Sequence, residues 1–329
     1  MTRNTFPSRR LMLGATAATA IASPPGRAQS WPDRPIRMIV PAAGGAGTAD
    51  TIARILAQEL DRRLPQRTVV DNRAGANGNV GAAAAARAAP DGYTMLYGWA
   101  GTLATNPAMY RDLPFDPLRD FEPCIMVGNV PNILVVNNSL GVRDMEGFTR
   151  LVRARPGALS FGSSGNGSSM HLAGELYRQS TGTDMVHVPY VGIAQGFNDL
   201  FAGRIEVMFN LITGAAPQVR AGQVTAIAVL SDRRSAVLPD VPTTAEVGMP
   251  GLEFGTWFCL MFPRGTPAAI IATMNRTVNE ILEDPESRAR LVATGLDIFG
   301  GTPQRVTEHL TAELRRHAEL VRLSGARME

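Results

Sequence analysis

Between residues 36 and 97, short apolar runs alternate with stretches whose apolar residues recur at helical spacing, and that alternation leaves few folds open. Ile36 to Val40 is an apolar run ending in Pro41 and a glycine-rich turn, and Thr51 to Leu64 follows at helical spacing. Thr68 to Val70 reads as the next strand, Val80 to Ala89 as an alanine-rich helix stopped by Pro90, and Tyr93 to Tyr97 as a third strand. The order βαβαβ predicts a parallel sheet with helices on its faces, the hallmark of an α/β protein.

A second set of β-like runs follows at Ile133 to Val136, Leu159 to Gly162, Met185 to Val188, Val207 to Phe209 and Thr225 to Val229. Helical stretches such as Ser168 to Gln179 and Gly196 to Phe201 separate them, so the middle of the chain reads as a second α/β lobe. The tail returns to helices. Thr266-Pro267 and Thr302-Pro303 each read as an N-cap residue before a proline at the first helical position, where the missing N–H has no helical partner to lose. A length of 329 residues suffices for two lobes with ordinary cores.

The N-terminus reads as targeting rather than fold. Ser8-Arg9-Arg10-Leu11-Met12 is a twin-arginine pattern, an apolar stretch runs from Leu11 to Ala22, and the small residues Gly26 and Ala28 suit a peptidase. Residues 1–28 are therefore expected to be a signal peptide, cleaved as the chain is exported to the periplasm. Arg3, Arg9, Arg10 and Arg27 precede the expected cut and no acidic residue does, so cleavage takes the formal charge from +3 to −1. With no lysine and scattered arginines, no basic patch remains to hold nucleic acid. Cys124 and Cys259 are too few for a disulfide scaffold or a cysteine zinc site; they read as buried free thiols, with a single bridge as the alternative.

Two glycine-rich loops stand between a strand and a helix. Pro41-Ala-Ala-Gly44-Gly45-Ala-Gly47-Thr48-Ala-Asp50 is a potential anion cradle, because glycines let the backbone approach a ligand and the N–H groups of a helix start favour negative charge. With Asp71 it also forms a weak dinucleotide fingerprint that lacks the third glycine. Phe161-Gly-Ser163-Ser164-Gly165-Asn166-Gly167-Ser168-Ser169 offers hydroxyls and amides, and Asn166 stands where a serine-nucleophile turn needs glycine. His171 and Glu175 lie one helical turn apart and His187 lies in a later strand. Further ligands at metal-site spacing are missing, so these are expected to be ordinary hydrogen-bonded side chains and no metal is expected. His309 and His317, on the terminal helix, are expected to be solvated.

Seven segments then carry a resemblance: Trp31-Pro-x-x-Pro-Ile-Arg, the Pro41 to Asp50 loop, Asp71-Asn-Arg-x-Gly75, Ala89-Pro-Asp-Gly-Tyr93-Thr, Ser163-Ser-Gly-Asn-Gly167, Val188-Pro-Tyr190-x-Gly192 and Leu238-Pro-Asp-Val-Pro-Thr243. In this order and spacing, the chain resembles the Bug-type, TctC-like receptors of tripartite tricarboxylate transporters from Trp31 nearly to its end. The resemblance implies a type II periplasmic binding protein with two lobes, each a sheet flanked by helices, two crossing strands and a ligand cleft between them. It places lobe 1 at 29–126 and 252–329 and lobe 2 at 127–251, with both cysteines near the crossing strands.

By position, the resemblance implies ligand contacts at Gly44, Gly45, Thr48, Trp99, Ala100, Gly101 and Thr102 in the first lobe. In the second it implies Ser163, Ser164, Gly165, Asn166, Gly167, Tyr190, Gly192 and Asn210. It further implies a monomeric receptor without catalysis or cofactor, which captures a small carboxylate and delivers it to the membrane permease subunits. The alternatives are an exported nucleotide-dependent oxidoreductase and a receptor reporting to a membrane signalling protein. The chain departs from the family pattern in four places. Its glycine loop is one residue longer, Asn210 stands where Asp is common, Val191 where Lys is frequent, and Trp99 where small polar residues are commoner. Losing a negative group at 210 argues for a ligand without an amine, and Trp99 admits an aromatic ring or an apolar chain.

Overall fold

The computed structural model describes residues 1–2, 31–45, 47–190 and 192–324; the twin-arginine pattern, the apolar stretch behind it and Val191 lie outside the described residues. Pro32–Glu329 is one unit of contacting structure. Its first part alternates as β1 (Ile36–Val40), α1 (Thr48–Asp61), β2 (Thr68–Asn72), α2 (Asn79–Ala86) and β3 (Thr94–Trp99). A π-helical turn (Gly101–Thr105) and the short α3 (Asn106–Met109) then lead to the long β4 (Phe121–Asn137). The middle runs α4 (Met145–Ala154), β5 (Ser160–Ser163), α5 (Ser169–Thr181), β6 (Val186–Pro189), α6 (Ile193–Phe201), β7 (Val207–Leu211), α7 (Ile212–Arg220) and β8 (Val224–Val229). The chain closes with β9 (Gly255–Pro263), α8 (Ala268–Glu283), α9 (Pro285–Val292), β10 (Asp297–Ile298) and α10 (Pro303–Ser324).

The expected parallel unit is present. β1 lies between β2 and β3, parallel to both, in register Ile36 with Thr68 and Arg37 with Thr94. Four of its five side chains are fully buried, as in a strand covered by helices on both faces. The sheet order β2-β1-β3-β9-β4-β7-β5-β6 shows one plan used twice. Three parallel strands in the order second, first, third are followed by an antiparallel one: β2-β1-β3 then β9, and β6-β5-β7 then β4. β4 belongs to both halves. It pairs with β9 from Phe121 to Pro131, then with β7 and β8 from Asn132 onward. At the change of partners Asn132 N–H donates to Phe254 O, Leu230 N–H to Asn132 O and Phe254 N–H to Leu230 O, which ties the crossing segments together.

Each half has its own core. Ile39, Leu96, Leu103, Phe121 and Met261 pack together in the first. In the second, Phe148, Tyr177, Phe161 and Phe209 form a chain of rings at centroid distances of 5.4 to 5.9 Å, geometry worth about 0.5–1.5 kcal/mol per pair beyond area burial. α10 serves both: Val306 and Leu310 join the first core, Leu320 and Val321 the second. For that reason the expectation of solvated histidines on this helix is corrected. His317 is 1% exposed, with Nδ1 2.8 Å from Thr105 Oγ1 and Nε2 3.3 Å from Glu313 Oε2, and His309 Nε2 is shielded beside Trp257. The helix is seated across β4, α3, α5 and the π-helical turn, and His317 lies on the face it turns to them, while Arg315, Arg316 and Glu319 stay exposed on the other.

Two further readings change. α8 takes Pro267 as its N-cap, and Thr266 Oγ1 donates instead to Pro263 O, which closes the turn after β9. β9 interrupts a tail that had read as helical, and β4 extends well before Ile133. Cys124 and Cys259 are free and fully buried, and burial pushes both thiols far up.

Candidate functional site

In an open α/β sheet the loops after the carboxyl ends of the parallel strands form the binding crevice. Here those loops, from both halves, line one cavity of about 580 Å³. After β1, Gly47 adopts φ 123° and no side chain caps α1, so the first-turn N–H groups of that helix remain uncapped where Thr48, Ala49 and Thr51 line the cavity. After β6 and β7, the starts of α6 at Ile193 and of α7 at Leu211, Thr213 and Gly214 also reach the cavity, again without a side-chain cap. After β5, Ser168 caps α5 by accepting from His171 N–H, and Ser168, Ser169 and Met170 form that wall. Trp99 at the end of β3 and Phe258, paired with it on β9, add an apolar surface.

Four helix N-termini thus converge on one space. Each brings partial positive charge and unpaired donors, worth about 0.3–1 kcal/mol for an exposed anion and up to about 2 when partly buried. No Asp, Glu, His, Arg, Cys or Tyr lines the cavity among the described residues. The acid of α1's first turn is turned away: Asp50, 3% exposed, accepts from Gly45 N–H, Arg54 Nε and Asn72 Nδ2 at 2.8–2.9 Å. Burial pushes this carboxyl up, but those three donors outweigh it and hold it below the usual carboxylate range. In contrast Asn210, 1% exposed on the cavity wall, has an Nδ2 with no partner. A buried donor left unpaired costs about 1–3 kcal/mol, so this amide is suited to a ligand acceptor.

Of the residues expected to touch a ligand, Thr48, Trp99, Gly101, Ser164 and Asn210 line the cavity together. A Cβ at Gly101 would stand 2.9 Å from Trp99 Nε1, so a larger residue there would displace the indole. The others lie behind or beside this wall. Gly45 spends its N–H on Asp50, Thr102 Oγ1 donates to Asn77 O, and Ala100 is 1% exposed. Ser163 Oγ lies 2.7 Å from His187 Nε2, Gly167 N–H donates to His171 Nδ1, and Tyr190 OH donates to Asp199. Gly192 caps α6; Gly44, Gly165 and Asn166 lie in the loops without lining the cavity. His171 is a buried and His187 a half-buried hydrogen-bonded side chain, and no group of three metal-type ligands occurs among the described residues. Asp71, which a dinucleotide site would need, is paired with Arg73 Nε at 2.9 Å.

Sequence reasoning missed Asn77, Thr213, Gly214, Thr256 and Phe258. Asn77 is the least expected. It and Ala76 both hold left-handed backbone, φ 51° and 46°, in a turn fastened when Thr102 Oγ1 and Asn106 Nδ2 donate to Asn77 O. Such backbone costs roughly 1–2 kcal/mol per non-glycine residue, and strained turns of this kind gather at ligand sites. The signal available beforehand was the Gly75-Ala-Asn-Gly78 sequence. A second cavity, about 390 Å³, is lined by charged side chains including Asp232, Arg233, Asp297 and Glu313, and shares none of these loops.

Comparison with known proteins places this geometry in context. The sequence profile described as "Tripartite tricarboxylate transporter family receptor" (TctC) matches residues 52–325. The chain is 36% identical over 319 residues to protein BugT of Bordetella pertussis, covering 97% of this chain and 98% of that one. Among solved structures, R. palustris Rpa4515 with adipate superposes with a TM-score of 0.82 at 36% identity, covering 91% of this chain and all of that one. The periplasmic binding protein BugD superposes at 0.78 and 30% identity, covering 91% and 100%.

Proposed function

Because the chain belongs to the tripartite tricarboxylate transporter receptor family, we propose that it is exported to the periplasm, binds a small mono- or dicarboxylate lacking an ammonium group, and presents it to the membrane permease subunits. The observation that carries this reading is the convergence of four helix N-termini on a cavity whose lining, among the described residues, holds no charged side chain. Such a lining favours an anion through neutral donors and offers no counter-charge to an amine. The same absence of a titratable group argues against acid–base chemistry at this site. Trp99 and Phe258 supply the surface for the rest of the ligand, an alkyl chain or an aromatic ring. Adipate, the ligand of the similar Rpa4515, is a dicarboxylate with an alkyl middle, which this lining suits.

In this reading residues 29–126 with 252–329, and 127–251, act as two lobes that close on the ligand, with Asn132, Leu230 and Phe254 at the crossing. A ligand touching both sides favours closure by its differential affinity for the closed state. Calorimetric titration with adipate, benzoate and malate against amino acids of matching length tests it: a carboxylate is expected to bind and the amino acids to fail. A protein that bound only the amino acids, or purified with bound nicotinamide or flavin, would overturn the reading.

A further inference from the structure

Behind the cavity wall, two imidazoles that do not line it hold the loop that carries α5's N-terminus. His171 and His187 stack at a centroid distance of 3.9 Å and an interplanar angle of 16°, with Phe161 packed against both rings. His187 Nε2 lies 2.7 Å from Ser163 Oγ, at the start of the loop, and Ser163 Oγ in turn accepts from Gly165 N–H at 3.1 Å. At the far end Gly167 N–H donates to His171 Nδ1 at 3.1 Å. Between these two anchors lies Ser164, and beyond them Ser168 and Ser169, all on the cavity wall.

Taking the binding site as read above, we propose that the stacked His171–His187 pair is a proton-sensitive latch on the 163–168 loop, which keeps its anion-binding shape only while both imidazoles are uncharged. The chemistry at each anchor differs. His171 Nδ1 accepts a backbone hydrogen bond, so its one ring proton sits on Nε2, on the side of Glu175 Oε1 at 3.9 Å. A second proton would have to go on Nδ1, setting one donor against another at Gly167. His187 can keep its bond to Ser163 when protonated, but the charge would then lie face to face with His171. The charged groups around the pair offer little relief. Glu175, which faces His171, is already engaged by Arg178 Nη1, whose Nη2 holds Asp184, and Arg178 repels a proton on either ring. Burial first, then His187 and Arg178, lower His171 to about 3; burial, then Arg178, lower His187 to about 4. A loop released from the pair would expose imidazoles that titrate near their ordinary value of 6.5. Acid therefore favours release, and release removes α5's donors from the ligand.

The test uses the full chain with adipate as probe and two variants that keep the hydrogen bonds but not the titration. In His171→Asn the amide oxygen replaces Nδ1 as acceptor, and in His187→Gln the amide nitrogen replaces Nε2. Wild-type affinity is expected to fall roughly tenfold more than that of the double variant between pH 7 and pH 5, where a single unit of pKa difference is a tenfold effect. Protonation of adipate acts on both proteins alike and cancels. His171→Leu is expected to lose affinity at pH 7 that His171→Asn retains. Parallel pH profiles for wild type and double variant overturn the proposal. Independently of any ligand, NMR titration of the wild-type imidazoles is expected to find both neutral at pH 7 and taking up protons together as the loop is released, below their ordinary 6.5 and by about pH 5; an imidazole already charged at pH 7, or both still neutral well below pH 5, overturns the proposal. Failure of adipate to bind at pH 7, with the two imidazoles titrating together in this way, counts against the carboxylate reading and leaves the latch standing.

Discussion

Asn210→Asp puts the proposed ligand chemistry to its sharpest test, because it changes one atom of a side chain that is 1% exposed on the cavity wall. In the wild type, Nδ2 has no protein partner, and donating to a carboxylate would contribute about 1.5–3 kcal/mol as a charge-assisted bond. The aspartate has two states in the complex. Left ionised, its carboxylate opposes that of the ligand at about 4 Å, a repulsion of about 4 kcal/mol at an effective dielectric of 20. Protonated to escape this, it pays about 4 kcal/mol at pH 7, the distance from its ordinary pKa of about 3.9. The ionised route also forfeits the amide's hydrogen bond, so the protonated route is the cheaper, and it predicts that carboxylate affinity falls about a thousandfold, measured by isothermal titration calorimetry at pH 7. An amino acid of the same length is expected to gain affinity, since an ammonium would then meet a counter-charge. Asn210→Leu serves as control: removing the orphan donor leaves the melting temperature of the ligand-free protein unchanged or raised by about 2 °C, while binding weakens roughly 10- to 150-fold. Carboxylate binding by Asn210→Asp within threefold of the wild type would refute the assignment of this amide to the ligand's negative group.

The left-handed turn gives a pair of opposite outcomes. Ala76→Gly, at an exposed residue with φ 46°, is expected to raise the melting temperature by about 2 °C without altering affinity, whereas Gly78→Ala sets a Cβ 2.1 Å from Thr102 Oγ1 and is expected to lower both in calorimetry. Acid should destabilise the fold in two stages. His171 and His187 have folded-state values depressed below 6.5, so the stability they allow is complete above that pH and falls as pH drops from about 6.5 toward 4 and 3. At Glu313 burial acts upward, but His317 and nearby charges outweigh it and hold the carboxyl at about 2, so its contribution is present above its ordinary 4.5 and lost as pH falls from there toward 2. Scanning calorimetry across pH is expected to show Glu313→Gln diverging from the wild type progressively as pH rises from about 2 and fully by about 4.5, and equal divergence at pH 2 would remove Glu313 from the account.

How much of this was legible beforehand depended on whether a segment's partners lay nearby in the chain. The βαβαβ unit could be read from residues 36 to 97 because parallel strands joined by helices need only local periodicity and punctuation. β4 could not. Pro123, Gly128 and Pro131 break up the run before Ile133, and proline in a run argues against a central strand. In the fold, irregular pairing on either side of Cys124 and Val127 accommodates the interruption, and Pro131 stands where β4 exchanges β9 for β7 and β8. That role exists only once residues more than a hundred positions away have been placed. His317 follows the same rule: its spacing on a polar helix suggested solvent, and its burial depends on a helix that bridges two cores.

The site shows the complementary limit. Glycine and serine at strand ends identified the two loops, since a backbone that turns into a helix start leaves its signature in composition. Which members of those loops line the cavity was not written there. Gly45 and Gly167 sit in the right loops, yet Asp50 and His171 accept their N–H groups, so the glycines shape the wall instead of forming it. Asn77, Thr213 and Phe258, which line the cavity instead, come from three other segments and share no motif. A receptor that captures an anion with neutral donors gains selectivity from the positions of many weak groups, each worth about 1 kcal/mol, rather than from one arginine. It follows that such a ligand set leaves little trace in residue type, and that the positions of the cavity wall depend on supports behind it, the hydrogen bonds of His171, His187, Thr102 and Asn106.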